Sequence, residues 1–160
     1  MHLSPLFPGP AMLKTQLLHP EILEQLARSG HGSKILIADG NFPFQTKSHP
    51  SARRVFLNLT PGTLGCVEVL KALCSAIVVE SALVMAPPAQ GEYAIEKPAI
   101  WEEFEQVLRE SGNPSPLGSV GRFNFYDACA SPDLSLVIAT GEQKIFANLM
   151  LTVGVVRGVN

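Results

Sequence analysis

The chain predicts an α/β fold with a mainly parallel sheet, on three observations. Helical patterns alternate with short apolar runs, the order that builds strand–helix–strand units. One of those runs, Ile35-Leu36-Ile37-Ala38, is apolar without alternation, which suits a strand covered on both faces. The 160 residues are 46% hydrophobic and 16% charged, enough for one globular domain with a substantial core. No internal repeat divides it.

Taken in order, residues 1–11 read as a flexible N-terminal extension broken by Pro5, Pro8 and Pro10, and 12–160 as the single domain. With no cationic stretch ahead of its apolar residues, this N-terminus makes a poor signal peptide. His19-Pro20-Glu21 marks a helix start, because proline fits the first helical position and an acid suits the positive end of the dipole. Ile22, Leu23, Leu26 and Ala27 then form an apolar stripe that stops at Gly30. The strand of residues 34–38 follows, and residues 40–54, polar and broken by Pro43 and Pro50, predict a loop over a site.

Val55 to Leu59 predicts a short strand. Pro61-Gly62-Thr63 opens a helix carrying Leu64, Val67, Leu70 and Leu73, and Ala76 to Met85 a further strand. Pro87 to Tyr93 reads as a loop. Pro98 to Ser111 is the clearest helix, with Trp101, Phe104, Val107 and Leu108 on one stripe and Glu102, Glu103 and Glu105 outside it. Asn113 to Gly118 is a connection, Val120 to Phe125 a strand leading into a short helix at Tyr126 to Ala130, and Leu134 to Thr140 a second buried strand. Gly141 to Ile145 turns the chain into a closing strand over Asn148 to Val156.

Composition excludes several function classes. A formal charge of −2 and an isoelectric point near 6.1 give no basic face for nucleic acid. The apolar residues 76–89 fall short of the ~20 a membrane helix needs. Cys66, Cys74 and Cys129 have no paired spacing and read as buried thiols of a reducing compartment, the cytoplasm. A mean hydropathy of +0.21 predicts both an unusually buried sheet and apolar surface covered by further copies of the chain.

Common cofactor motifs fail on spacing. Gly30, Gly32, Ser33 and Lys34 lie between a helix and a strand, the reverse of a phosphate loop, and no G-x-G-x-x-G occurs. His19, His31 and His49 form no i, i+4 metal pair, and there is no G-x-S-x-G elbow. Two residues keep a functional reading against the ordinary one of a helix-end cation and a loop cap. His31 stands between two glycines with its imidazole open, a natural proton shuttle near neutral pH. Asp39 ends the first strand, where ligands bind in open α/β sheets. Because His31 precedes the strand that Asp39 ends, a common site needs two subunits or a folded-back loop. Arg122, in an aromatic strand, offers a guanidinium to sugar hydroxyls beside an aromatic wall, its ordinary alternative being a surface ion pair. Asn148 begins the last strand, where a turn residue is equally expected.

Met12-Leu-Lys-Thr, His19-Pro20, Gly30-His31-Gly32, Ala38-Asp39-Gly-Asn-Phe-Pro43, Arg122-Phe-Asn-Phe-Tyr126, Thr140-Gly141-Glu142, Phe146-Ala-Asn148 and Gly154-Val155 occur in an order and spacing that resembles the D-ribose pyranase/L-fucose mutarotase family from about Met12 to Val156. The Arg-Phe-x-Phe-Tyr segment leans toward the fucose branch. The resemblance implies a three-layer α/β/α fold and cofactor-free interconversion of sugar anomers by acid-base opening and closure of the hemiacetal. It implies His31 as the proton donor, Asp39, Arg122, Tyr126, Phe146, Ala147 and Asn148 as sugar contacts, and Glu68 at an acidic family position. It also implies dimers or rings with sites near subunit interfaces, a monosaccharide as the ligand, and no metal. One departure is Phe146, where the family usually has tyrosine; residues 44–60 also match poorly. The alternatives are a ribose pyranase, a non-catalytic sugar-binding or regulatory subunit of the same fold, and an assembly protein.

Overall fold

The computed structural model describes residues 13–113 and 116–159; the expected extension over residues 1–11 lies outside them. Ten elements follow one another: α1 (Pro20–Arg28), β1 (Lys34–Ala38), β2 (Arg53–Phe56), α2 (Cys66–Cys74), β3 (Val79–Met85), α3 (Ile100–Glu110), β4 (Leu117–Val120), α4 (Arg122–Cys129), β5 (Leu134–Ala139) and β6 (Leu149–Val153). The strands form one sheet in the order β2-β5-β1-β6-β3-β4. β1 with β5, β2 with β5 and β3 with β4 pair in parallel, while β6 runs antiparallel to both β1 and β3. The sheet is mainly parallel, as the sequence predicts, with one reversed strand inside it.

Burial on both faces of β1 is the reason its sequence does not alternate. Ile35 and Ile37 join a core cluster with Ile22 of α1, Leu70 and Leu73 of α2, and Phe104 and Leu108 of α3. Leu36 and Ala38 point the other way, into a second cluster with Phe42, Phe125 and Cys129. Helices α1, α2 and α3 thus cover one face; α4 and the segment around Phe42 cover the other. Ile35, Leu36, Ile37 and Ala38 are all fully buried, which at ~25 cal/mol per Å² of apolar surface makes this strand a main source of stability. Among the described residues no helix is long and apolar enough to cross a membrane.

The local start signals hold at α1. Pro20 occupies its first position and His19 caps it, Nδ1 accepting from the Ile22 N–H at 3.4 Å. Elsewhere boundaries move. The helix expected from Pro61 begins only at Cys66, because Thr60 and Thr63 pair with each other in a tight turn first. The strand expected from Ala76 begins at Val79, and that expected over Asn148 to Val156 covers Leu149–Val153.

The largest correction concerns Arg122. The polar-apolar alternation of Arg122-Phe123-Asn124-Phe125 reads as a strand, yet β4 ends at Val120, extended Gly121 caps a helix, and Arg122 is its first residue. Packing decides it. Phe125 and Cys129, four residues apart, are fully buried on one helical face against the sheet, whereas Phe123 is 79% exposed.

Candidate functional site

Strand direction gathers the site. The carboxyl ends of β1, β3 and β4 share one edge of the sheet, and reversed β6 begins at that same edge. Asp39 and Asn41 therefore meet Met85, Arg122, Phe146 and Asn148 around a cavity of ≈ 450 Å³, which Tyr126 and Tyr93 also line. That is the size and place expected of a ligand pocket in an open α/β sheet.

At its floor, Asp39 is 3% exposed. The Asn41 N–H donates to its Oδ1 at 3.0 Å and the Ala147 N–H to its Oδ2 at 3.4 Å, while its own N–H donates to Asn148 Oδ1 at 2.8 Å. Burial pushes the Asp39 carboxyl above its ordinary range, and the backbone N–H groups of Asn41 and Ala147 pull it back. A carboxylate held this way keeps lone pairs facing the cavity. Asn148 spends its oxygen on Asp39 and leaves its amide nitrogen to donate.

Phe146 enters by an unusual backbone. Its φ is +57°, in the left-handed region that non-glycine residues seldom adopt, a conformation that costs about 1–3 kcal/mol. Its carbonyl accepts from the Trp101 indole at 2.9 Å, so α3 helps hold it there. Opposite, the Tyr126 ring packs edge-on to Phe42 at 5.9 Å with the Lys47 ammonium 5.7 Å from its centre. The Arg122 guanidinium makes no ion pair among the described residues, contrary to the ordinary surface-pair reading. An arginine at the rim of a cavity, free of an acid, is available to ligand oxygens.

Of the expected residues, Asp39, Arg122, Tyr126, Phe146 and Asn148 line the cavity. Ala147 is fully buried behind it and contributes its N–H. Glu68 does not reach it. Its carboxylate and that of Glu142 converge on Gly65, where a Cβ would lie 2.7 and 3.0 Å from their oxygens. Glu142 Oε2 accepts from the Cys66 N–H at 3.2 Å, which places its negative charge at the start of α2. Gly141, beside it, has the backbone carbonyls of Thr60 and Thr63 where a Cβ would lie, 2.6 Å from each oxygen; no other residue fits there without backbone movement.

His31 lies at the far edge. It sits two residues before Ser33, whose carbonyl accepts from the Val153 N–H at the end of β6, and the adjacent Gly32 N–H donates to the Val153 carbonyl at 2.9 Å. Its Nε2 is 3.0 Å from Glu80 Oε1 at the start of β3, with more than half of the His31 side chain exposed. The five residues of β1 separate it from Asp39, roughly 17 Å at ~3.3 Å per residue. The loop does not fold back. Within one chain the two groups serve different edges.

Met85, Tyr93 and Ile145 are cavity residues without a sequence signal, since each sits in a stretch that reads as core strand or plain loop. Burial pushes the thiols of Cys66 and Cys129 up to about 12, so both stay protonated. Among the described residues no three His, Cys, Asp or Glu side chains cluster as metal ligands.

Comparison with known proteins agrees with this fold. The model of the RbsD / FucU transport protein family matches residues 12–156. A human fucose mutarotase is 35% identical over 141 residues, covering 87% of this chain and 90% of that one. A D-ribose pyranase from Variovorax paradoxus is 32% identical over 145 residues, covering 90% and 98%. Among solved structures, FucU from Bifidobacterium longum superposes with a TM-score of 0.75 at 29% identity, covering 89% of this chain and all of that one. Bacillus subtilis RbsD complexed with D-ribose superposes with a TM-score of 0.70 at 25% identity, covering 91% of this chain and 100% of that one.

Proposed function

Since this chain belongs to the RbsD / FucU transport protein family, we propose that it is a monosaccharide mutarotase, interconverting the anomers of fucose-like sugars by opening and closing the hemiacetal. The observation that carries the reading is the cavity itself. A buried carboxylate, a guanidinium with no acid partner among the described residues, an amide donor and a phenol converge there beside Phe42, Phe146 and Met85. Such a lining answers both sides of a sugar, hydroxyls with charged and polar groups, C–H faces with aromatic and apolar ones.

Opening a pyranose removes the proton of the anomeric hydroxyl and delivers one to the ring oxygen. Rotation about the bond to the freed aldehyde and closure on its other face reverse both transfers, so no atom is gained or lost. In this reading Asp39 accepts from a sugar hydroxyl and Arg122 and Asn148 donate to others, fixing the ring. His31 moves the proton, its Nε2 turned to Glu80 and its Nδ1 left open; each positioned acid or base contributes ~10²–10⁴-fold. The chain's own His31 stands a strand's length from Asp39, so the imidazole comes from a second copy, and the catalyst is a dimer or ring. Phe123, 79% exposed next to Arg122, is the apolar surface such a neighbour would cover. The three free thiols fit a cytoplasmic protein.

The test is saturation-transfer NMR on fucose, ribose and galactose. Saturable anomer exchange above the buffer rate for at least one of them is expected; buffer-rate exchange for all three defeats the reading. A second reading, a sugar-binding subunit without turnover, draws on Phe146, whose ring lines the cavity without a hydroxyl. Phe146→Tyr is expected to raise exchange about 3- to 10-fold, the worth of one added hydrogen bond. No gain would mean that the Tyr126 hydroxyl already fills that need.

A further inference from the structure

Resting on the mutarotase reading, we propose that Trp101 of α3 is a positioning residue for this site, acting on Asp39 and Phe146 through a single peptide unit. The peptide joining Phe146 to Ala147 is gripped at both ends. Its carbonyl accepts from the Trp101 indole at 2.9 Å, and its N–H donates to Asp39 Oδ2 at 3.4 Å. These two groups point oppositely across one rigid plane, so fixing the carbonyl aims the N–H.

The same grip explains how Phe146 remains in the left-handed region with a full side chain. Rotating that peptide back toward ordinary backbone would break the indole bond and turn the Ala147 N–H away from Asp39. A second tie runs from α3 to this loop, Lys144 Nζ to Glu103 Oε1 at 2.6 Å, but it is exposed and ends two residues earlier. An exposed ion pair of this kind holds little. The indole is the anchor. Trp101 otherwise reads as one more residue of an apolar stripe, and its N–H is the part that the stripe leaves unexplained.

The chain has one tryptophan, so replacing tryptophan throughout the protein alters this position alone. The isostere with sulfur in place of the indole N–H, β-(3-benzothienyl)alanine, keeps the ring and removes the donor. Exchange kcat/KM per folded molecule, by NMR on the sugar that the wild type turns over, is expected to fall about tenfold, the effect of leaving one carbonyl without its donor. Trp101→Phe is expected to do the same with a smaller ring. A second comparison separates positioning from packing. In a Phe146→Gly background the left-handed backbone needs no support, so the same isostere should lower kcat/KM less than threefold. Equal losses in both backgrounds, or wild-type kcat/KM per folded molecule in the isostere, overturn the proposal. Failure of the mutarotase reading looks different, since the unaltered protein would then leave exchange at the buffer rate.

Discussion

His31→Ala is expected to bring anomer exchange down by ~10²–10⁴-fold, to the rate of buffer, while the melting temperature stays within a degree or two. The two halves of that expectation have separate causes. The imidazole is the only group in the reading that delivers a proton, and its side chain is more than half exposed with Glu80 as its hydrogen-bond partner, so the fold loses little with it. Because His31 and Asp39 stand at opposite edges of β1, the loss should be repairable in trans. Mixing His31→Ala with the strongly impaired Asp39→Asn, after dissociation and reassembly, creates sites that draw the imidazole from one chain and the carboxylate from the other. About a quarter of the sites are then intact in a random mixture, and activity returns to about that level. A mixture as inactive as its parents would remove the second copy from the reading, and unchanged exchange in His31→Ala alone would remove His31.

Asp39→Asn is expected to lower exchange about 10²-fold, because an acceptor that holds a sugar hydroxyl becomes half donor. Its effect on folding has two opposing parts. The carboxylate takes one backbone N–H on each oxygen, from Asn41 and Ala147. An amide has one oxygen, so whichever way it turns its nitrogen meets a backbone N–H, at a cost of about 1–3 kcal/mol. Against this, burial disfavours the charge that the amide removes. The pH dependence tells the two apart. Burial raises the folded carboxyl above its ordinary 3.8, so the native state takes up the proton before the unfolded chain does. The stability this confers is complete below 3.8 and is lost as pH rises through the higher folded value. The wild type should therefore gain on Asp39→Asn as the pH is lowered from neutral toward 4, measured by denaturant unfolding. A difference that stays constant with pH would mean that the carboxyl is not buried in solution as it is here.

The fold was legible where local chemistry and burial agree. Ile35 to Ala38 announces a doubly covered strand by its lack of alternation, and His19-Pro20 places the start of α1 to the residue. It was illegible where two periodicities compete over a few residues. Arg122 to Phe125 alternates like a strand, and only the docking of Phe125 and Cys129 on the sheet makes it a helix, a tertiary fact with no local sign. The site follows the same division. Asp39 stands out because a strand ends at it, and Arg122 reaches the cavity although it opens a helix where the alternation predicts a strand. Glu68 carried only a family alignment, and its carboxylate turns instead toward Glu142 at Gly65. Tyr93 and Ile145 come from loops whose course depends on what they pack against, and no residue pattern encodes that.

The place of β6, last of the described strands in sequence yet inside the sheet, sets the order in which the pocket can come into being. Asp39 emerges early in synthesis, but the side chain that accepts from its amide, Asn148, lies 109 residues further along. The final strand must thread between β1 and β3, already made, before that bond can close. A chain cut before Leu149 is expected to bind no sugar, because β6, which brings Asn148 to Asp39, would be missing. Sugar recognition then waits on β6 entering between β1 and β3.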